Sequence, residues 1–166
     1  KLVSAMPEGA AEDMLANSNS LIEAAQRLNI PTLLTEQYPQ GLGPTDDDLN
    51  SKLDNKATRF EKTQFSCCAA DNFNNALQAT ARKQVIIVGQ EAHVCVLQTA
   101  LELMQQGYQV HIIEDAVCSR KAEHKFYALQ RMQQQGATIS NFESVLFEWL
   151  KDAKHEHFSS IAALLR

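Results

Sequence analysis

The feature that most constrains the fold is a continuous apolar run, Val-Ile-Ile-Val, at positions 85–88, which Gly89 ends. A strand that is apolar without alternation is typical of a parallel sheet covered by helices on both faces. Beyond Gly89, apolar residues recur at helical spacing over 93–106, and Gly107 follows where such a helix would end. The two segments predict a strand over 84–88 that leads into a helix over 93–106.

The same alternation of strands and helices continues through the chain. Further strands are predicted over 32–35, 57–60, 108–114 and 137–140, and further helices over 11–29, 69–82, 122–135, 142–150 and 155–165. The stretch 36–50, with two Pro, two Gly and three consecutive Asp, is predicted to be a long loop. This pattern predicts one α/β domain over 1–166 with a mainly parallel sheet, whose sites lie at the carboxyl ends of the strands.

Composition argues against several classes of function. The 166 residues include 15 Lys and Arg against 20 Asp and Glu, and the resulting formal charge of -5 argues against a nucleic-acid partner. No apolar stretch approaches the roughly 18 residues that would span a membrane. Four cysteines without a secretory context favour reduced thiols. We therefore expect a soluble, cytoplasmic protein without a membrane partner.

Cys95 is the strand-end residue with the most reactive side chain. It lies at the start of the predicted helix, where free N–H groups and the helix dipole favour a thiolate. Lys62, just past another predicted strand, could supply a nearby cation. The residues alone favour a simpler interpretation, in which Cys95 is a core residue and Lys62 is solvated, because inert buried cysteines are common.

Several motifs resemble those of one enzyme family, in that family's order. Its nucleophile motif is similar to Gly-Gln-Glu-Ala-His-Val-Cys-Val over 89–96 with Thr-Ala at 99–100, and its catalytic-lysine motif is similar to Glu-Lys-Thr-Gln-Phe-Ser over 61–66. Further matches are TEQYPQGLG over 35–43, Gly107-Tyr108, Asp115-Ala116, Ser119-Arg120, Gly136-Ala137 and Glu143-Ser144. The chain thus resembles the isochorismatase-like cysteine hydrolases. TEQYPQGLG resembles the branch that contains isochorismatase domain-containing protein 2.

The resemblance implies a three-layer, Rossmann-like α/β fold with a mainly parallel sheet in the order 3-2-1-4-5-6. In the family, the first and central strand ends in an Asp-x-Gln motif just before the residues that correspond to Lys1 and Leu2. We therefore expect an N-terminal segment, with that strand and a catalytic aspartate, to precede Lys1. A chain that truly began at Lys1 is expected to be unstable and nearly inactive.

The resemblance also implies a triad of Asp, Lys and Cys. Cys95 is then the nucleophile, Lys62 is the cation that favours its thiolate, and the aspartate of the preceding strand is the general base. A cis peptide bond is expected between Gln90 and Glu91, and it would direct the N–H groups of Glu91 and Cys95 towards an oxyanion.

The pocket and the substrate are less constrained. The resemblance implies pocket positions at Gln37, Tyr38, Phe65 and His93. For His93, a structural hydrogen bond to the backbone is an equal alternative. Nicotinamidases of this superfamily hold a metal through an Asp and two His, but the stretch 36–50 contains no histidine. We therefore expect neither a metal nor another cofactor.

The expected function is hydrolysis of a small amide or carbonyl substrate through a thioester on Cys95, in a homo-oligomer. One alternative is a catalytically quiet, oligomeric binding protein of the same fold. Another is a nicotinamidase-like amidase.

Overall fold

Five parallel strands form two sheets in the computed structural model, which describes residues 1–53 and 57–165. The strands are β1 (Leu33–Gln37), β2 (Thr58–Lys62), β3 (Gln84–Gln90), β4 (Gln109–Cys118) and β5 (Thr138–Ser140). β1 pairs with β2, and β4 lies between β3 and β5. In the expected order 3-2-1-4-5-6, strands 3 and 2 lie on one side of strand 1, and strands 4, 5 and 6 lie on the other side. The pair β1-β2 matches strands 2 and 3, and the sheet β3-β4-β5 matches strands 4, 5 and 6. The predicted α/β fold with parallel strands is confirmed.

Eight α-helices connect and cover the strands in the same part of the chain. They are α1 (Ala10–Arg27), α2 (Pro39–Leu42), α3 (Asp47–Lys52), α4 (Phe73–Ala79), α5 (Leu97–Gln105), α6 (Ala122–Gln134), α7 (Phe142–Leu150) and α8 (Phe158–Ala162). A π-helical turn, Ala92–Val96, leads directly into α5. None of the helices described in the structure is long and apolar enough to cross a membrane.

Helices pack on both faces of the sheet formed by β3, β4 and β5, which gives three layers. On one face, Val85 and Ile87 of β3 pack against a core that includes residues of α4, α5 and α6. On the other face, Ile86 and Val88 pack against a core that includes residues of α1, α7 and α8. Because successive side chains of a strand point to opposite faces, the apolar run at 85–88 contributes to both cores.

β3 is less buried than its apolar run predicts. Residues 85–88 are half-buried, whereas Ile112 and Ile113 of β4 are fully buried. β4 has hydrogen-bonded neighbours on both sides, but β3 is an edge strand among the residues that the structure describes. Helices cover both faces of β3, as predicted, but one flank of the strand stays open.

The prediction of a long loop over 36–50 is wrong. β1 continues to Gln37, and two short helices, α2 and α3, follow it. Pro39 occupies the first turn of α2, where its missing N–H costs nothing. Asp46, within the predicted loop, caps α3 by accepting a hydrogen bond from the Asp48 N–H at 3.0 Å.

Several other boundaries also differ from the predictions. β4 extends to Cys118 because Val117 and Cys118 pair with Gly89 and Gln90 of β3, and within this extension the Asp115 carboxylate accepts a hydrogen bond from the Phe142 N–H at 2.9 Å. The helices predicted over 69–82 and 155–165 are shorter, as α4 and α8. A separate 3-10 turn, Cys67–Ala69, precedes α4, and another, Ala163–Leu165, directly follows α8. Short polar contacts of this kind are not visible in hydrophobic periodicity.

Two buried thiols make the fold sensitive to alkaline pH. Burial raises the pKa of both Cys68 and Cys118 from 9.0 to about 11. Above pH 9, thiols of the unfolded chain lose protons while those of the native chain keep them, so stability falls as the pH rises from 9 to 11. A pKa difference of about two units corresponds to at most about 2.7 kcal/mol per thiol.

We therefore expect the free energy of unfolding in urea to fall steeply between pH 9 and pH 11. Below pH 9 the two thiols are protonated in both the native and the unfolded chain, so they should cause no loss of stability there. A variant with Cys68→Ala and Cys118→Ala should lose less stability over that interval than the parent protein. Equal slopes for the two proteins would show that these thiols do not cause the pH dependence.

Candidate active site

The carboxyl ends of β1, β2 and β3 bring three side chains together. Gln37 and Lys62 are the last residues of their strands and are register partners in the parallel ladder. Cys95 lies in the π-helical turn that follows β3. Because the ends of parallel strands share one edge of the fold, residues distant in sequence meet here. This group is the candidate active site.

Lys62 is buried, with 5% of its surface exposed, and its ammonium group is surrounded by acceptors. Nζ donates hydrogen bonds to the carbonyl oxygens of Gln64 and Phe65, at 3.1 and 2.9 Å, and to Oε1 of Gln37. The same Nζ lies 3.6 Å from Sγ of Cys95. A buried ammonium group needs such compensation, and these contacts fix Lys62 beside the thiol.

Cys95 is half-buried between Lys62 and Gln37. Its Sγ donates a hydrogen bond to Oε1 of Gln37 at 3.8 Å. We expected Lys62 and the helix start to lower the pKa of this thiol, but burial raises the pKa more than the Lys62 ammonium lowers it. Both effects act on the same sulfur atom, so the role of Lys62 in favouring the Cys95 thiolate stays a prediction.

Glu91 anchors the turn that carries Cys95. The Gln90–Glu91 peptide bond is cis, at the position that the resemblance gives for it. The Glu91 carbonyl oxygen accepts hydrogen bonds from the N–H groups of Val94 and Val96, at 3.1 and 3.3 Å. Its carboxylate accepts hydrogen bonds from Nε of Arg120, at 3.0 and 3.1 Å, and from the Arg120 backbone N–H, at 3.2 Å. Burial raises the pKa of Glu91, but the contacts with Arg120 lower it by more. The net result is a pKa below the ordinary value for a glutamate.

The side chain of His93 contacts Ser119 and His124. Its Nδ1 lies 3.0 Å from Oγ of Ser119, and its ring lies 4.6 Å from that of His124. Burial lowers the pKa of His93 below its ordinary value, against the raising effect of the Glu91 carboxylate. Within residues 1–53 and 57–165, no group of three or more His, Cys, Asp or Glu side chains is arranged to hold a metal ion.

A cavity of about 330 Å³ opens beside Lys62. It is lined by Tyr38, Pro39, Gln40, Glu61, Lys62, Thr63, Gln64, Ala69, Ala70 and Asp71. Of the four predicted pocket residues, the cavity includes Tyr38, whereas Gln37, Phe65 and His93 are not in its lining. Tyr38 and Phe65 are 50% and 53% exposed, so both are accessible from solvent. Lys62 lines the cavity and Cys95 does not. Lys62 therefore lies between the cavity and the Cys95 thiol.

Sequence reasoning did not assign roles to several residues around the site. Arg120 was noted only as part of a motif match, and its contact with Glu91 joins positions 29 residues apart. Cys67 has its Sγ 3.2 Å from Oγ1 of Thr35, and its N–H donates a hydrogen bond to Oγ1 of Thr99 at 2.9 Å. These contacts arise because separate strand ends meet, which local periodicity does not reveal.

Comparison with known proteins places these features in a family. The protein-family model described as "Isochorismatase domain" matches residues 3–144 of this chain. Isochorismatase family protein 1A of Dictyostelium discoideum is 41% identical over 155 residues, which is 92% of this chain and 75% of that protein. Isochorismatase domain-containing protein 2 of Danio rerio is 39% identical over 153 residues, with 92% and 76% coverage. The resemblance to that branch is confirmed.

Solved structures share the same architecture. The MAR1 ribonuclease of Caenorhabditis elegans has a TM-score of 0.93 and 36% identity, covering 99% of this chain and 83% of the other. The YcaC gene product of Escherichia coli, described as an octameric hydrolase of unknown specificity, has a TM-score of 0.91 and 26% identity, with 99% and 80% coverage. The fold, the family match over residues 3–144 and the identities to relatives agree, and the chain belongs to the isochorismatase family.

Proposed function

We propose that the protein is a metal-independent cysteine hydrolase that acts on a small amide or carbonyl substrate. The observation that carries the proposal is the contact between Lys62 Nζ and Cys95 Sγ at 3.6 Å, at the strand ends where α/β proteins bind ligands. A buried cation beside a thiol stabilises the negative charge that develops on sulfur during nucleophilic attack. Membership of the isochorismatase family supports hydrolase chemistry.

The proposed reaction has two steps. Cys95 Sγ attacks the carbonyl carbon while a base takes the thiol proton, and we assign that base to the aspartate of the family's first strand. The C–N or C–O bond to the leaving group then breaks, the proton passes to the leaving group, and a thioester remains on Cys95. In the second step water attacks the thioester, which releases a carboxylic acid and restores the thiol.

Several further residues have proposed roles in that reaction. The N–H groups of Glu91 and Cys95 would stabilise the oxyanion that forms on the substrate carbonyl oxygen. Tyr38 would contact the substrate from the cavity beside Lys62, because half of its surface is exposed there. Gln37, Phe65 and His93 are proposed to complete the pocket nearer to Cys95.

A screen of small amides and esters on the full-length protein tests the proposal. We expect hydrolysis of at least one class, unchanged by a chelator and lost on alkylation of Cys95. Nicotinamide belongs in the same screen, because chelator-sensitive turnover of that ring would favour the nicotinamidase-like alternative. No turnover of any compound, together with an unreactive Cys95, would favour a binding protein without catalysis.

The similarity to a ribonuclease makes RNA cleavage a second candidate. The formal charge of -5 weighs against it, because RNA binding needs a basic surface. Incubation of the protein with single-stranded and hairpin RNA decides between the two. Cleavage that survives metal chelation and depends on Cys95 would replace the small-molecule proposal.

We also propose that the protein is a homo-oligomer in the cytoplasm, without nucleic-acid or membrane partners. The octameric description of the Escherichia coli structure supports self-association of this fold. Light scattering on the purified protein would measure the oligomeric state directly.

A further inference from the structure

Three consecutive residues at the end of β4 hold the segment that leads to Cys95. The contacts are Cys118 Sγ to Gln90 Oε1 (3.4 Å), Ser119 Oγ to His93 Nδ1 (3.0 Å) and Arg120 Nε to the Glu91 carboxylate (3.0 and 3.1 Å). The contact of Arg120 with Glu91 is the ion pair among the three, and hydrogen bonds between charged groups are the stronger kind.

Glu91 connects this ion pair to the candidate nucleophile. Its carbonyl oxygen accepts hydrogen bonds from Val94 and Val96, on either side of Cys95, while its carboxylate accepts hydrogen bonds from Arg120. Glu91 therefore links Arg120, through its carboxylate, to the turn Ala92–Val96, through its backbone carbonyl. The side chain of Arg120 is 58% exposed, so it can be replaced without opening the core.

The same ion pair includes one of the charges that act on the thiol. Burial raises the pKa of Cys95 most and Lys62 lowers it, while Cys67 and the carboxylate of Glu91, a residue with 7% of its surface exposed, raise it further. Arg120 neutralises that carboxylate. Loss of the guanidinium group would leave a buried negative charge beside Cys95 without its partner.

We propose that Arg120 is a positioning residue for Cys95, because it fixes the Ala92–Val96 turn through the Glu91 carboxylate and balances the charge of that carboxylate. The inference rests on the proposed function of Cys95. It adds a residue that touches neither the thiol nor Lys62 among the contacts described, yet sets the orientation and the electrostatic environment of the thiol.

The pKa of His93 also depends on the charges of Glu91 and Arg120. Burial lowers the pKa of His93, Glu91 raises it, and His124 and Arg120 lower it. Removal of the Arg120 charge should therefore raise the pKa of His93. We expect the pKa of Cys95 to rise as well, because the Glu91 carboxylate, which raises it, would lose its partner. The imidazole can be followed by NMR, whether or not Cys95 reacts.

The test compares Arg120→Ala, Arg120→Lys and Lys121→Ala with the parent full-length protein. Lys121→Ala is the matched control, because it removes one positive charge from the adjacent, exposed position. Iodoacetamide alkylation of Cys95 is measured by peptide mass spectrometry from pH 6 to pH 10, and His93 is titrated by NMR. Circular dichroism establishes that each variant is folded.

For Arg120→Ala we expect the alkylation midpoint and the His93 midpoint to rise by at least about 0.5 pH unit. Alkylation at pH 7 should then be about threefold slower, with Arg120→Lys close to the parent protein and Lys121→Ala unchanged. Adding Glu91→Gln to Arg120→Ala should return both midpoints towards their original values.

Unchanged midpoints in Arg120→Ala, or an equal shift in Lys121→Ala, would overturn the inference. If Cys95 of the parent protein does not react at any pH, the proposed function fails. The His93 titration still decides whether Arg120 sets the charge balance of this segment, so the two failures are distinguishable.

Discussion

Replacing Cys95 by Ala is expected to reduce turnover of any substrate found in the screen by at least about a thousandfold. The reason is that the proposed thioester cannot form without the sulfur atom. Cys95 is only half-buried, so the change should alter the free energy of unfolding little. The rate is measured on the full-length protein at saturating substrate, with thermal unfolding as the test of structure.

Cys67→Ala is the matched control for this variant. Cys67 is also a half-buried thiol in the same part of the fold, and its Sγ contacts Thr35 instead of Lys62. We expect Cys67→Ala to retain most of the activity. Full activity in Cys95→Ala, or equal losses in the two variants, would contradict a nucleophilic role for Cys95.

Replacing Lys62 by Met is expected to reduce kcat/KM by about a hundredfold or more. Methionine keeps much of the side-chain volume but removes the charge, so the pKa of Cys95, which burial already raises, should rise further. Alkylation of Cys95 at neutral pH should slow accordingly. The measurement is the pH profile of both turnover and alkylation.

A loss of stability must be separated from this effect. Lys62 donates part-buried hydrogen bonds to Gln37, Gln64 and Phe65, and each of these acceptors that loses its donor costs at most about 1 to 3 kcal/mol. Rates are therefore compared only where urea unfolding shows the variant to be native. Lys125→Met is the control, because Lys125 is a more exposed lysine whose Nζ lies 3.8 Å from Glu114. An unshifted pH profile in Lys62→Met would exclude an electrostatic role for Lys62.

The sequence predicted the parts of the fold that depend on local pattern. The run at 85–88 and the apolar spacing that follows it identified β3 and the helical segment that carries Cys95, because burial on both faces demands such residues. The family motifs identified Lys62 and Cys95 as partners, and they lie in contact. Local periodicity did not detect α2 and α3, whose starts depend on Pro39 and on the side-chain cap from Asp46.

Long-range contacts explain most of what could not be predicted. Gln37 joins Lys62 and Cys95 only because the register of β1 and β2 aligns their last residues. The net rise in the pKa of Cys95 depends on burial produced by the folded chain, so the expected lowering by Lys62 alone was incomplete. Arg120 reaches Glu91 because β4 runs to Cys118, beyond its predicted end at position 114.

The most direct test of the central claim is rapid acid quench of the full-length protein during turnover, followed by mass spectrometry of the peptide that contains Cys95. We expect the acyl part of the substrate to be attached to Cys95 through a hydroxylamine-sensitive thioester, and the adduct to be absent from Cys95→Ala. Turnover that continues with no adduct on Cys95 under single-turnover conditions, or an adduct on another residue, would contradict the account.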